Sequence, residues 1–290
     1  MSIPDLLWLY FCGGEFSLRQ QALIAILTAS AFVLTALPFL EAQFPAESTL
    51  PKSKRKGNAR VKKGPPGPTP RMADGKPDLS GVWGYAGYTS DIAKDYDVGE
   101  LPMTPFGEKL FKERQANEGT EDPEARCLPT GVPRRDPYPS KILQLPNLVV
   151  ILYEGNLHSF RQIFLDRGHP KDLNPTWWGD SVAKWEGDEL VVDTVGFNGL
   201  TWLDLAGHGT SDQLHVVERY SRPDYGNLKD EITIEDPVYY TRPWKVTQWT
   251  PLITDSDLWE YICTENEKDS KHLDNLIRAA KEAQTKAGKK

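Results

Sequence analysis

The stretch Lys184–Phe197, KWEGDELVVDTVGF, decides the fold. Leu190–Val195 is a short run rich in β-branched residues, and Ser181–Trp185 precedes it. Between them, Glu186-Gly187-Asp188 has the composition of a tight turn, so the segment predicts a β-hairpin. The same pattern recurs outward in both directions. Asn147–Tyr153 and Leu157–Leu165 flank Glu154-Gly155-Asn156. Leu214–Ser221 and Leu228–Ile234 flank Asp224-Tyr225-Gly226-Asn227, and Trp244–Thr250 and Leu258–Cys263 flank Thr254-Asp255-Ser256-Asp257. Successive hairpins with short turns predict a mainly β domain, an antiparallel up-and-down meander closing into a barrel. Closure also removes the sheet edges that so many apolar strands would otherwise expose.

The domain is expected over residues 74–270. Asp78-Leu79-Ser80-Gly81-Val82-Trp83 reads as a turn entering the first strand. Its Gly81-x-Trp83 resembles the opening of lipocalin-type barrels, in which the Trp plugs the barrel base. Thr104 and Pro105 supply an N-cap and a first-turn proline for a short helix over Phe106–Gln115. Thr120–Pro139, rich in Pro and charge, reads as loop. Leu273, Leu276, Ile277, Ala280 and Ala283 recur at three- and four-residue spacing, predicting an amphipathic helix within 271–290.

The N-terminal residues point to export. Ala22–Leu40 carries no charge, follows Arg19 and ends at Leu40-Glu41-Ala42, the layout of a secretory signal over residues 1–42. An uncleaved membrane anchor is the alternative. Residues 43–73 read as a disordered linker, because Lys52–Pro70 (KSKRKGNARVKKGPPGPTP) has basic charge and Pro/Gly but nothing to build a core. Weak contact with an anionic envelope surface is the functional alternative for that stretch. Cleavage leaves Cys127 and Cys263, and an oxidising compartment favours their pairing. A periplasmic or secreted location follows.

A net charge of −7 argues against nucleic-acid binding. No Gly-rich phosphate loop, nucleophile elbow or zinc-protease helix signature is present, so no motif implies a cofactor. The run from Cys127-Leu128-Pro129-Thr130-Gly131-Val132-Pro133-Arg134 to Cys263 resembles a large family of secreted bacterial proteins with no established activity. The matching pieces are Asp78–Trp83, Ile142–Pro146, Arg161–Asp166, Lys184–Phe197 and Leu214–Arg219. The resemblance implies a secreted, β-rich domain and transfers no catalytic residue. Similar sequences often read Asp-Gly-Arg where this one has Asp166-Arg167-Gly168.

Candidate site residues cluster between 158 and 219. His158, Arg161, Asp166, His169, Asp193 and His215 are the candidates for acid–base catalysis, with Asp166–His169 and Asp193–His215 the pairs to test. Arg161 or Arg219 offers a fork for an anionic group. Trp177, Trp178, Trp185 and Trp202, with Trp83, Phe160 and Phe197, are candidates to line a ligand cavity or its mouth. His158, His169, His208 and His215 are weak metal-ligand candidates, because their spacings match no compact motif. His215 and Glu218 fall on opposite faces of an ideal strand, against a shared ligand shell. The leading expectation is an exported barrel binding a small apolar or aromatic molecule, with polar anchors at its mouth. A secreted lyase, isomerase or hydrolase using His/Asp chemistry, metal-assisted or not, is the second reading, and a structural envelope protein the third.

Overall fold

The computed structural model describes residues 64–84, 89–134, 137–155 and 159–265, with a few positions beyond them. The expected signal (1–42), the basic stretch up to residue 63, most of the 271–290 helix and His158 lie outside the described residues. The Pro/Gly run from Gly64, expected as linker, instead lies against the turn around Arg222–Asn227. Gly64 donates its backbone N–H to Asn227 Oδ1, Tyr225 N–H donates to Gly67 O, and Thr69 Oγ1 donates to Arg222 O.

Nine strands form one closed barrel in sequence order. They are β1 (Gly81–Trp83), β2 (Ser140–Gln144), β3 (Leu148–Tyr153), β4 (Phe160–Phe164), β5 (Asp180–Glu186), β6 (Glu189–Val195), β7 (His215–Asp224), β8 (Asn227–Glu235) and β9 (Trp244–Ile253). Helix α1 (Ile92–Asp95) and helix α2 (Pro105–Ala116) lie between β1 and β2. Thr104 caps α2 by accepting from Gly107 N–H, as the sequence predicts. The hairpin at Lys184–Phe197 forms with Trp185 opposite Leu190. Each inward residue of β7 is buried and each outward neighbour less so, the period-two alternation of a half-buried strand.

Two expectations change. Leu258–Cys263 is not a strand; β9 pairs with β1 instead, which closes the barrel. The strand that fills the ring is Ser140–Gln144, which the hairpin pattern leaves without a partner in sequence. The second change follows from parity. A closed ring whose neighbours are all antiparallel needs an even number of strands, so nine strands require a parallel contact. That contact is β4–β5, where Ile163 pairs with Ser181 and Phe164 with Val182. A parallel step demands a long crossover, and residues 165–179 provide it.

The interior has two apolar clusters. One gathers Val216, Ile232, Ile234, Trp244 and Val246 with Ile92, Leu203 and Phe197. The other gathers Trp83, Ile142, Ile151, Ile163, Leu190 and Tyr220. Strand register puts Glu218, Asp230 and Gln248 between them: Val216, Glu218 and Tyr220 run down β7, while Leu228, Asp230 and Ile232 run down β8. Asp230 is the partner of both Tyr220 and Gln248 across the sheet.

Outside the ring, Cys127 and Cys263 form a disulfide, with Cα atoms 5.7 Å apart. Trp259 N–H donates to Glu154 Oε2, 2.8 Å, so the segment after β9 returns to the β3 end.

Candidate functional site

The lumen holds a buried ionic network. Arg161 on β4 meets Glu218 on β7, Nη1 to Oε1 at 3.0 Å and Nη2 to Oε2 at 2.5 Å, with both side chains at most 2 % exposed. Arg161 Nε donates to Ser181 Oγ at 3.0 Å and Nη2 to Thr194 Oγ1 at 2.8 Å. Tyr220 Oη donates to Glu218 Oε1 at 2.7 Å. Burial alone would lower the Arg161 pKa, but the Glu218 charge overrides it, and the guanidinium stays charged. Such a pair is stable only because each guanidinium nitrogen finds an oxygen.

Beside this network lies a cavity lined by Trp83, Tyr153, Arg161, Glu218, Asp230 and Gln248 among others. Its volume is about 30 Å³, enough for roughly two waters at about 10–15 Å³ each. Gly131, Val132, Pro133 and Arg134, hereafter the cap, form part of its lining. The cap is held by Gln248 Nε2 donating to Pro133 O at 3.0 Å, and by Arg134, which pairs with both oxygens of Asp122 at 2.9 and 2.8 Å and also with Glu124. Gly131 has φ 72°, and a Cβ there would meet Thr201 Cγ2 at 2.6 Å and Trp177 O at 3.0 Å. Only glycine lets the cap pack this closely on the crossover.

The expected histidines lie elsewhere. Among the described residues, no histidine lines the cavity. His169 and His215 stand on the outer wall, where they meet at Asp193: His169 Nε2 to Oδ1 at 3.1 Å and His215 Nε2 to Oδ2 at 3.2 Å. The Asp193–His215 pair therefore forms, whereas Asp166 accepts from Asn147 Nδ2 in an exposed turn and does not meet His169. His169 Nδ1 instead contacts Asp180 Oδ1 at 2.7 Å, and Arg167 forks onto the same carboxylate. Burial would raise the Asp180 pKa, but hydrogen bonds from Arg167 and His169 prevail and lower it.

His208 is buried against Phe111 and pairs with Asp204 at 2.5 Å. With Asp91 these groups lie close enough to suggest a cation site. Their lone pairs are already used: Asp204 accepts from the backbone N–H groups of Ile92, Gly207 and His208, and Asp91 caps α1 and pairs with Lys94. The trio joins α1 to the Asp204–His208 loop.

The aromatic candidates do not converge. Trp83 is buried and lines the cavity. Trp178 stacks on Tyr153 at 4.6 Å, and Trp177 lies beside it on the crossover. Trp202 is buried under Arg114, 4.4 Å from the ring centre. Trp185 carries Lys76 over its ring at 5.8 Å. Phe160 points outward and Phe197 is core. Arg219 faces outward to Glu186 and Glu189, not to a ligand pocket.

Glu218 in its lumen role, Ser181, Thr194, Asp230 and Gln248 escaped the sequence reading, though a signal existed. Each of Glu218, Asp230 and Gln248 occupies the inward phase of its strand, flanked two residues away by buried side chains. Polar residues in that phase mark a wet or ionic core. Comparison with known proteins matches no family model, no curated protein and no solved structure.

Proposed function

We propose that the protein is an exported, lipocalin-like binding barrel, and that its ligand is a small polar molecule held beside Glu218, Asp230 and Gln248. The carrying observation is the polar band itself. Charged groups placed in the middle of a lumen cost several kcal/mol of desolvation each even when they are paired, and an all-apolar filling would close the same barrel more simply. The polar anchors sit in the lumen and not at the mouth, which shifts the ligand from apolar toward hydrogen-bonding. The cavity admits only a few atoms with the Gly131–Arg134 cap seated, so larger ligands enter by displacing the cap. The disulfide and the resemblance to secreted bacterial proteins support the exported setting.

Native mass spectrometry of the full chain, exported and purified without added ligand, tests this reading. A bound mass lost in Asp230→Asn but retained in Arg219→Ala supports it. A second reading, a structural envelope barrel, draws on the small cavity volume. Wild-type protein that carries no added mass, together with no shift in melting temperature across a panel of small polar metabolites, would establish that reading and overturn the first.

A further inference from the structure

The cap carries a donor that the ionic network leaves unused. Both terminal nitrogens of Arg134 are taken, Nη1 by Asp122 Oδ1 and Nη2 by Asp122 Oδ2 and Glu124 Oε2. Its Nε–H has no acceptor among the described residues, although the side chain is only 1 % exposed. The indoles of Trp178 and Trp244 share that condition, but they pack on the apolar cluster and are not among the residues lining the cavity. Arg134 does line it. An unmade bond on a buried, charged donor costs the desolvation of that hydrogen. Native interiors hold few such groups, and a water, ion or ligand supplies the missing acceptor.

Charge narrows what that acceptor belongs to. Glu218 and Asp230 are on the lining, and Asp122 and Glu124 flank Arg134. A ligand carboxylate or phosphate would be buried among these carboxylates, where like charges repel. A cation would share the lining with the guanidinium groups of Arg134 and Arg161, and its N–H groups offer no lone pair to Arg134 Nε–H. An uncharged carbonyl oxygen meets neither objection. Glu218 receives hydrogen bonds from Arg161 Nη1, Arg161 Nη2 and Tyr220 Oη, and a carboxylate has roughly four lone-pair sites, so it can take a further N–H. The space of roughly two waters suits a planar group of about three or four heavy atoms.

We infer that the lumen binds an uncharged amide or urea group, its carbonyl oxygen accepting from Arg134 Nε–H and its N–H groups turned toward the lining carboxylates. The inference rests on the binding role proposed above and names the chemistry of the ligand. Because Arg134 belongs to the cap, the same bond ties that segment to the occupant.

Acetate, acetamide and acetamidinium share one planar heavy-atom frame and carry negative, zero and positive charge, so they separate charge from shape. Titrated into nitrogen-15-labelled full chain, acetamide is expected to shift the Arg134 Nε–H resonance, while the two ions leave it in place at the same concentration. Arg134→Lys keeps a cation beside Asp122 but lacks that N–H, and it should weaken acetamide binding about 10- to 100-fold; Arg219→Ala should leave it unchanged. If Arg134→Lys does not fold, the wild-type resonance decides alone. Either ion shifting that resonance as much as acetamide does, or acetamide binding with the resonance unmoved, overturns the inference. No response to any of the three, with a co-purifying mass present in native mass spectrometry, overturns it and leaves the binding role standing. No response and no co-purifying mass removes both.

Discussion

At the residue scale, the Arg161–Glu218 pair is the most exposed to single changes, because neither charge reaches water. Glu218→Gln leaves a buried guanidinium without its counter-ion and should cost about 3–5 kcal/mol in chemical denaturation. Arg161→Met strands Glu218 and should cost a similar amount. The double variant should cost less than the sum of the two, and a coupling of zero in that cycle would show that the pair does not act as a unit. Arg161 itself was visible in the sequence as a candidate, but its role was not, because the partner stands 57 positions away and on a non-neighbouring strand. Register and barrel closure bring the two together, and neither can be read from local spacing. Asp180 makes the second prediction. Its folded pKa is below the ordinary 3.8, so its contribution to stability is complete above that pH and disappears as pH falls through the folded value. Thermal melts between pH 2 and 5 should therefore show a steeper loss in wild type than in Asp180→Asn, which begins less stable at neutral pH.

At the scale of elements, hairpins were legible and the crossover was not. Turn residues and alternation mark β5–β6 and β7–β8 directly, because a hairpin's partners are adjacent in sequence and its turn chemistry is local. The step from β4 to β5 also looks, locally, like two strands with a loop between them. Only the count of strands around the closed ring makes it parallel. The crossover depends on Gly179, at φ 68°, where a Cβ would meet Val195 O at 2.7 Å and Thr194 Cγ2 at 2.8 Å. Gly179→Ala should destabilise the protein by more than about 1 kcal/mol, since the left-handed backbone alone costs an L-residue roughly 1–2 kcal/mol. Gly187→Ala, in the β5–β6 turn at φ 63° with nothing near its Cβ, isolates that backbone cost from the steric one. Urea midpoints that move equally in the two variants would show that packing at Gly179 contributes nothing. Among the candidate site residues, Asp193 with His215 was legible because both face outward on adjacent strands; the part played by His169 was not, because it enters from the crossover.

At the scale of the molecule, the disulfide ties residues 136 positions apart. Closing so long a loop restricts the unfolded chain by about 4–5 kcal/mol in the chain-entropy picture, and strain or residual structure reduces the observed value. Cys127→Ser with Cys263→Ser should lower unfolding free energy by about 2–5 kcal/mol, measured by chemical denaturation; an unchanged value would place the bridge outside the cooperative unit. The pairing was legible from the expectation of export and the parity of the cysteines it leaves, not from geometry. The same covalent loop has a topological consequence. It encloses β2 through β9 and leaves out β1, the three-residue strand that completes the ring between β2 and β9. Two copies can therefore trade their Gly81–Trp83 strands, each inserting its Trp83 into the other's barrel, without breaking a covalent bond in either. Such an exchanged dimer would match the monomer in circular dichroism and disulfide content. It would form most readily after partial unfolding at high concentration, and it would be visible as a slowly reverting second peak in size-exclusion chromatography.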